Sequence, residues 1–246
     1  MKFKYSIAVM GAGGTGSYFL KEVSRQIAAS NEIKKQLRSL YICDGDIVEE
    51  KNLERQCFLA DDIGRAKACV LAEVLNESFL LNWAARPSYV EALSDLEALF
   101  PFAFQDTPGG QNDVVEIPVI IGCVDNHGAR LLFEEFFQKA TNCIYFDAGN
   151  EFETGETVFS YKLNGKIVGP PRSHYFPDIK EGDTRNRGEI SCTELNQVSP
   201  QHIYTNMLAG LTLCSAFSSL MQNKLMPGVV FFNSHSLSSE FIPYKE

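Results

Sequence analysis

The chain has no pair of cysteines spaced C-x-x-C, no excess of basic residues, and no apolar run of the length a membrane span demands. Each absence closes off a class of protein. The seven cysteines, Cys43, Cys57, Cys69, Cys123, Cys143, Cys192 and Cys214, are odd in number and scattered, which supports neither a zinc tetrathiolate nor a thioredoxin-type motif. Cys43, Cys123 and Cys143 lie in apolar strand-like runs and read as small core residues. A formal net charge of −9 argues against nucleic acid, whose binders need a basic footprint to displace counterions, and is more compatible with a basic protein partner. No long apolar segment precedes the first strand, so neither a signal peptide nor a transit peptide is expected and the reading is cytoplasmic. Leu195 to Asn223 lacks Asp, Glu, Lys and Arg, yet is too rich in Ser, Thr, Asn and Gln for the apolar run of about 20 that crosses a bilayer. A buried or dimer-interface helix from Pro200 to Gln222 is expected there, with Ser199 as N-cap and Pro227-Gly228 just beyond its end. Internal repeats are missing too.

What is present suits an ordinary globular α/β chain: 246 residues, 45% hydrophobic and 22% charged, enough for one large core. The stretch KYSIAVMGAGGTGS at residues 4 to 17 organises the rest. Ile7 to Met10 form an apolar run that ends on Gly11, Gly13, Gly14 and Gly16, after which Tyr18, Phe19, Leu20 and Val23 recur at helical spacing. That is a strand, a glycine turn and a helix whose N-terminus offers N–H groups to a phosphate. Strand-like runs recur at Leu40 to Cys43, about Ser88 to Val90, Val119 to Cys123 and Ile144 to Phe146. Helical patterns fall near Ser17 to Ala29, Arg65 to Asn76, Glu91 to Phe100 and Ala129 to Lys139. The alternation predicts a Rossmann-like, doubly wound, mostly parallel sheet over a nucleotide-binding half at 1–150. Residues 151–246 carry an antiparallel extension, with a hairpin turning at Asn164-Gly165, a long crossover loop from Gly169 to Val198, and the uncharged helix. Both halves read as one domain. A second insertion, rich in Pro and Gly, spans Gln105 to Asp113.

The loop after the second strand identifies the nucleotide. Asp44 stands at the strand's carboxyl end, where Rossmann proteins hold ribose hydroxyls. Asn52 and Arg55 follow, three apart on one side of a helical turn, then Lys67 at the next helix start, then Asp125 and Asn126 after the fourth strand. A dinucleotide needs no such cations; a triphosphate with a magnesium ion does.

These pieces, GAGGTGS, DGDIVEEKNLERQ, GRAKA and CVDNHGAR, resemble the ThiF/MoeB family of the ubiquitin-activating enzyme superfamily in order and spacing. The later FDAGN and SCTEL look like the subgroup found in the bacterial PRTRC gene system. The resemblance implies adenylation of the C-terminal carboxylate of a ubiquitin-like or sulfur-carrier protein of β-grasp fold, using ATP and Mg2+, in a homodimer, with a conjugating-enzyme-like protein as a further partner. It puts Gly11, Gly13, Gly14 and Gly16 on the phosphate path, Asp44 on the ribose, Asn52, Arg55 and Lys67 on the phosphates, Asp125 on the metal and Asn126 beside the nucleotide. Arg55 and Lys67 are then catalytic. So is Cys192 as acyl acceptor: it is the one cysteine of the crossover loop, flanked by Arg185 and Arg187, with Glu189 and Glu194 acting against thiolate. Cys57 is its rival. The resemblance also implies an arginine supplied by the neighbouring subunit from a helix ahead of the first strand, and only five residues precede that strand here. A nicotinamide-dependent oxidoreductase and a non-catalytic nucleotide-binding scaffold stay open as alternatives.

Overall fold

The structure, a computed structural model, describes residues 2–104, 114–180 and 202–245. Strand β1 (Lys2–Met10) runs through the middle of the sheet, with β2 (Leu37–Cys43) and β4 (Val114–Gly122) parallel on either side. Tyr5 to Met10 are all buried, the continuous pattern of a strand covered on both faces. Beyond β2 lies β3 (Trp83–Arg86) and beyond β4 lies β5 (Cys143–Asn150), both parallel. The direction then reverses. β6 (Thr154–Leu163) pairs antiparallel with β5; β7 (Lys166–Gly169) and β8 (Gly228–Asn233) pair antiparallel with β6; and β9 (Ser238–Pro243) closes the far edge. The order is β3-β2-β1-β4-β5-β6-β8-β9, a parallel half with an antiparallel extension.

Helices α1 (Gly14–Ala29), α3 (Lys67–Phe79) and α7 (Ile203–Met221) pack through one hydrophobic cluster that includes Ile7, Val9, Phe146 and Phe159. Helices α4 (Leu93–Leu99) and α5 (His127–Lys139) pack through a second cluster on Ala8, Met10 and Tyr145. Since adjacent residues of β1 divide between the two clusters, the pleat itself separates the layers. Short α2 (Asn31–Gln36), capped by Ser30 Oγ, and α6 (Arg172–Tyr175) are the other α-helices among the described residues. No described helix is long and apolar enough to cross a membrane.

Three expectations shift. The third strand is Trp83–Arg86, not Ser88 to Val90, because the Trp83 indole N–H reaches Ser24 Oγ at 2.9 Å and its backbone N–H reaches Asn76 Oδ1 at 2.7 Å. Pro87, which has no N–H for a ladder, and a Ser88 N–H···O Arg86 bond of 2.8 Å then turn the chain out of the sheet. The uncharged helix begins at Ile203, while Ser199 and Pro200 lie outside the described residues. Its lack of charge has a direct cause on one side: Ala209, Leu213, Phe217 and Leu220 are buried in the core. Cys43 and Cys143 are core residues as expected, whereas Cys123 lies one residue past β4 and is half-buried. The hairpin turns where expected, with Asn164 at φ 52° and Gly165 at φ 75°, the positive pair that matches strand twist.

Candidate functional site

The site forms where β1, β2 and β4 end. Gly11 leaves β1 with φ +96°, donating its N–H to Cys43 O at 2.9 Å, while the Cys123 N–H is donated to Met10 O at 2.8 Å, so one turn ties three strand ends together. A side chain at Gly11 would strike the Cys123 carbonyl, and one at Gly16 would strike the Gly11 carbonyl. Gly14 is closed off by the Asn206 side chain of α7. Only Gly13 has its Cβ position in ordinary surroundings, with Gln56 Nε2 at 3.8 Å. Of the four glycines expected on the phosphate path, three answer packing demands and Gly13 alone has room at its Cβ position. Gly13 is also the N-cap of α1 and has no side chain to cap it, so the first-turn N–H groups stay available to an anion.

Asp44 is buried at the end of β2. Its Oδ2 accepts the Ala12 N–H at 2.6 Å and its Oδ1 the Asp46 N–H at 2.7 Å. Burial, with Asp46 beside it, pushes its carboxyl above the ordinary range, against the pull of Lys67 and the two N–H groups. Lys67 does not stand open: its buried ammonium pairs with Asp46 Oδ2 at 2.9 Å, and Asp46 Oδ1 also accepts the Tyr89 hydroxyl. Asn52 is buried, its Oδ1 accepting the Glu49 N–H at 2.9 Å, and its carbonyl accepts from the Arg55 and Gln56 N–H groups. That turn presents Arg55, half-buried, whose guanidinium has no hydrogen bond or ion pair among the described residues.

Asp44, Tyr89, Asp125, Asn126 and Phe133 line one pocket beside Gly11, apolar along much of its wall, with the exposed Asp125 carboxylate at its rim. Asn126 has a second duty, because its Oδ1 accepts the Ala129 N–H at 2.7 Å and so caps α5. Arg130, on the next turn, donates to Val124 O at 2.8 Å and Ala148 O at 3.2 Å, which fixes the loop carrying Asp125. The same Arg130 lies 3.3 Å from Asp147 Oδ2, and Arg172 at the start of the crossover meets that oxygen at 3.0 Å while also pairing with Glu156. The root of the crossover is therefore bolted to β5 and β6 by buried charge. No group of three or more metal-ligating side chains occurs among the described residues. An exposed carboxylate such as that of Asp125 suits magnesium, which keeps several waters and takes its remaining ligands from phosphate.

Cys192 lies outside the described residues. Its rival Cys57 is half-buried beside Ser17, whose Oγ accepts the Cys57 N–H at 3.2 Å, and burial raises its thiol above the ordinary value. Sequence reasoning missed Tyr89, Asn206 and Arg172. Tyr89 carries one local sign, since its ring covers Gly45 where no Cβ would fit.

The chain is 28% identical over 139 residues to ubiquitin-like modifier-activating enzyme 5 of Oryza sativa subsp. japonica, covering 53% of this chain and 29% of that protein. It is 30% identical over 144 residues to ubiquitin-activating enzyme E1 1 of Arabidopsis thaliana, covering 57% of this chain and 11% of that one. It thus spans under a third of the length of the curated relatives it matches. Among solved structures, E. coli MccB crystallised with ATP superposes with TM-score 0.64 at 15% identity, over 97% of this chain and 63% of MccB. PaaA superposes with TM-score 0.63 at 13% identity, over 98% and 64%. These two show the fold. The ThiF family model matches residues 3–245, nearly the whole chain, and the protein is therefore a member of the ThiF family.

Proposed function

We propose that this chain binds ATP with magnesium and adenylates the C-terminal carboxylate of a ubiquitin-like or sulfur-carrier protein of β-grasp fold, releasing pyrophosphate. The observation that carries the reading is the division of labour around the cradle. Asp44, Asp125 and Asn126 line one pocket beside Gly11, no side chain caps the N-terminus of α1 three residues on, and the Arg55 guanidinium has no hydrogen bond or ion pair among the described residues. Family membership supports it, as do relatives that activate ubiquitin or ubiquitin-like modifiers. MccB, of the same fold, has been crystallised with ATP, and with AMPCPP together with MccA.

Asp125 would hold the magnesium ion, which supplies neutralising charge to the phosphates. A peptide carboxylate has a pKa of about 3.5 and is ionised at neutral pH, so its oxygen attacks the α-phosphorus, the bond to pyrophosphate breaks, and no proton moves. The chain's residues need only align the two anions and offset their repulsion, through the first-turn N–H groups of α1, Arg55 and Lys67. The adenylate then passes to Cys192, whose thiolate attacks the acyl carbon and expels AMP. We also place the protein in a homodimer, working beside a conjugating-enzyme-like partner as in the PRTRC system.

The test is ATP–pyrophosphate exchange with candidate β-grasp proteins. Asp125→Ala should lower exchange by about a hundredfold or more, and tight NAD binding without ATP binding would overturn the reading. For the second step, Cys192→Ala should abolish a thiol-sensitive adduct while leaving exchange intact. An adduct that survives in Cys192→Ala and disappears in Cys57→Ala assigns the step to Cys57.

A further inference from the structure

Helix α7 meets α1 at the cradle itself. The Asn206 amide lies against Gly14 so closely that a Cβ there would be 2.6 Å from its Cγ and 2.8 Å from its Oδ1, with Nδ2 nearer still. One turn on, Gly210 lets the two helix backbones close up, since a Cβ at that position would lie 3.1 Å from Phe19 N and 3.3 Å from Thr15 O. Asn206 is fully buried. Its Oδ1 accepts the Asn150 Nδ2 at 2.7 Å and faces Thr15 Oγ1 at 3.5 Å. Its Nδ2 has no hydrogen-bond partner among the described residues. A buried donor left unmade is rare in native proteins and calls for a reason. Here the donor stands beside the first turn of a sixteen-residue helix that no side chain caps, where backbone N–H groups and the helix dipole favour negative charge.

Building on the adenylation reading, we propose that Asn206 is an anion-binding residue of this site, its Nδ2 donating to an oxyanion held at the N-terminus of α1. The acceptor chemistry is the same for a nucleotide phosphate oxygen and for the attacking carboxylate. Geometry explains why an amide serves here rather than a cation. Arg55 and Lys67 belong to the segment that follows β2, whereas Asn206 sits across the cradle beside Asn150 at the end of β5. A neutral donor there completes the anion's shell without drawing it away from the cations, and the Oδ1 bonds fix which way the amide points.

Asn206→Asp separates this role from packing, because aspartate keeps the acceptor for Asn150 and Thr15, removes the donor and sets a negative charge beside the bound anion. The variant's affinities for MgATP and for pyrophosphate alone, measured by calorimetry, and its KM for the β-grasp partner in exchange are the readouts. At least one should worsen about tenfold or more, the loss of a charge-assisted bond, while the melting temperature without ligand stays within a few degrees. Weaker MgATP and pyrophosphate binding assigns the phosphate; a loss confined to the partner's KM assigns the carboxylate. Values within twofold of wild type in all three overturn the proposal. Should the aspartate variant fail to fold, Asn206→Ser is read by the same criteria. The pyrophosphate titration keeps the two ideas apart: a wild-type chain that binds pyrophosphate but catalyses no exchange refutes adenylation, and Asn206 is still judged by its own variant.

Discussion

Lys67 points at Asp46, and that pairing decides what each residue can be asked to do. With the ammonium buried and Asp46 held from its other side by Tyr89, removing the carboxylate breaks a buried ion pair and leaves Lys67 only the nearby charge of Asp44. Asp46→Ala should therefore lower stability by about 3 kcal/mol in urea unfolding. Lys67→Met, which removes the charge and keeps the stem, should be much milder in the same assay while weakening MgATP binding. Cys57 allows a sharper sign argument. Burial, its largest influence, raises the thiol above its usual value, so the thiolate fraction at neutral pH is smaller than for an open cysteine. Iodoacetamide should modify Cys57 more slowly than a free thiol at pH 7.5, with the rate still climbing above pH 9; a rate plateau below pH 8 would contradict the assignment and revive Cys57 as acyl acceptor.

Among the elements, those with a local signature were legible. β1, β2 and β4 are apolar runs that end on glycine or acid, and the Asn164-Gly165 hairpin announces its turn. Asp44, Asp125 and Asn126 follow the ends of β2 and β4, so their meeting in one pocket was readable from spacing. What escaped was non-local. Nothing in RSHY tells a reader that Arg172 meets Asp147, and the uncharged stretch around Asn206 advertises burial without naming α1 as the surface covered. The strand at Trp83–Arg86 was misplaced because its anchors, Ser24 and Asn76, belong to helices α1 and α3. The α1–α7 contact is testable through Gly210. Valine there must push against the Phe19 nitrogen and the Thr15 carbonyl, backbone atoms that cannot swing away, and should lower stability by about 2 kcal/mol in denaturant unfolding.

For the whole molecule the open question is what covers the outer side of α7. Tyr204, Met207 and Leu211 are 58%, 42% and 61% exposed and lie three and four residues apart, one stripe on a helix without charge. The proposed homodimer would bury such a stripe. Sedimentation at micromolar concentration should give twice the chain mass, and Leu211→Glu should shift it to the monomer; wild type sedimenting only as monomer would refute the dimer. The contact between Gly14 and Asn206 also bears on how the chain comes into being. Residues that open the first helix are finished by a side chain synthesised 192 positions later, so a growing polypeptide carries an incomplete cradle, with the α7 side of α1 uncovered, until Asn206 has been added. Ligand and chaperone would compete for the same nascent surface during that interval. A nascent chain stalled before Asn206 is added should have its parallel sheet and be unable to retain an anion.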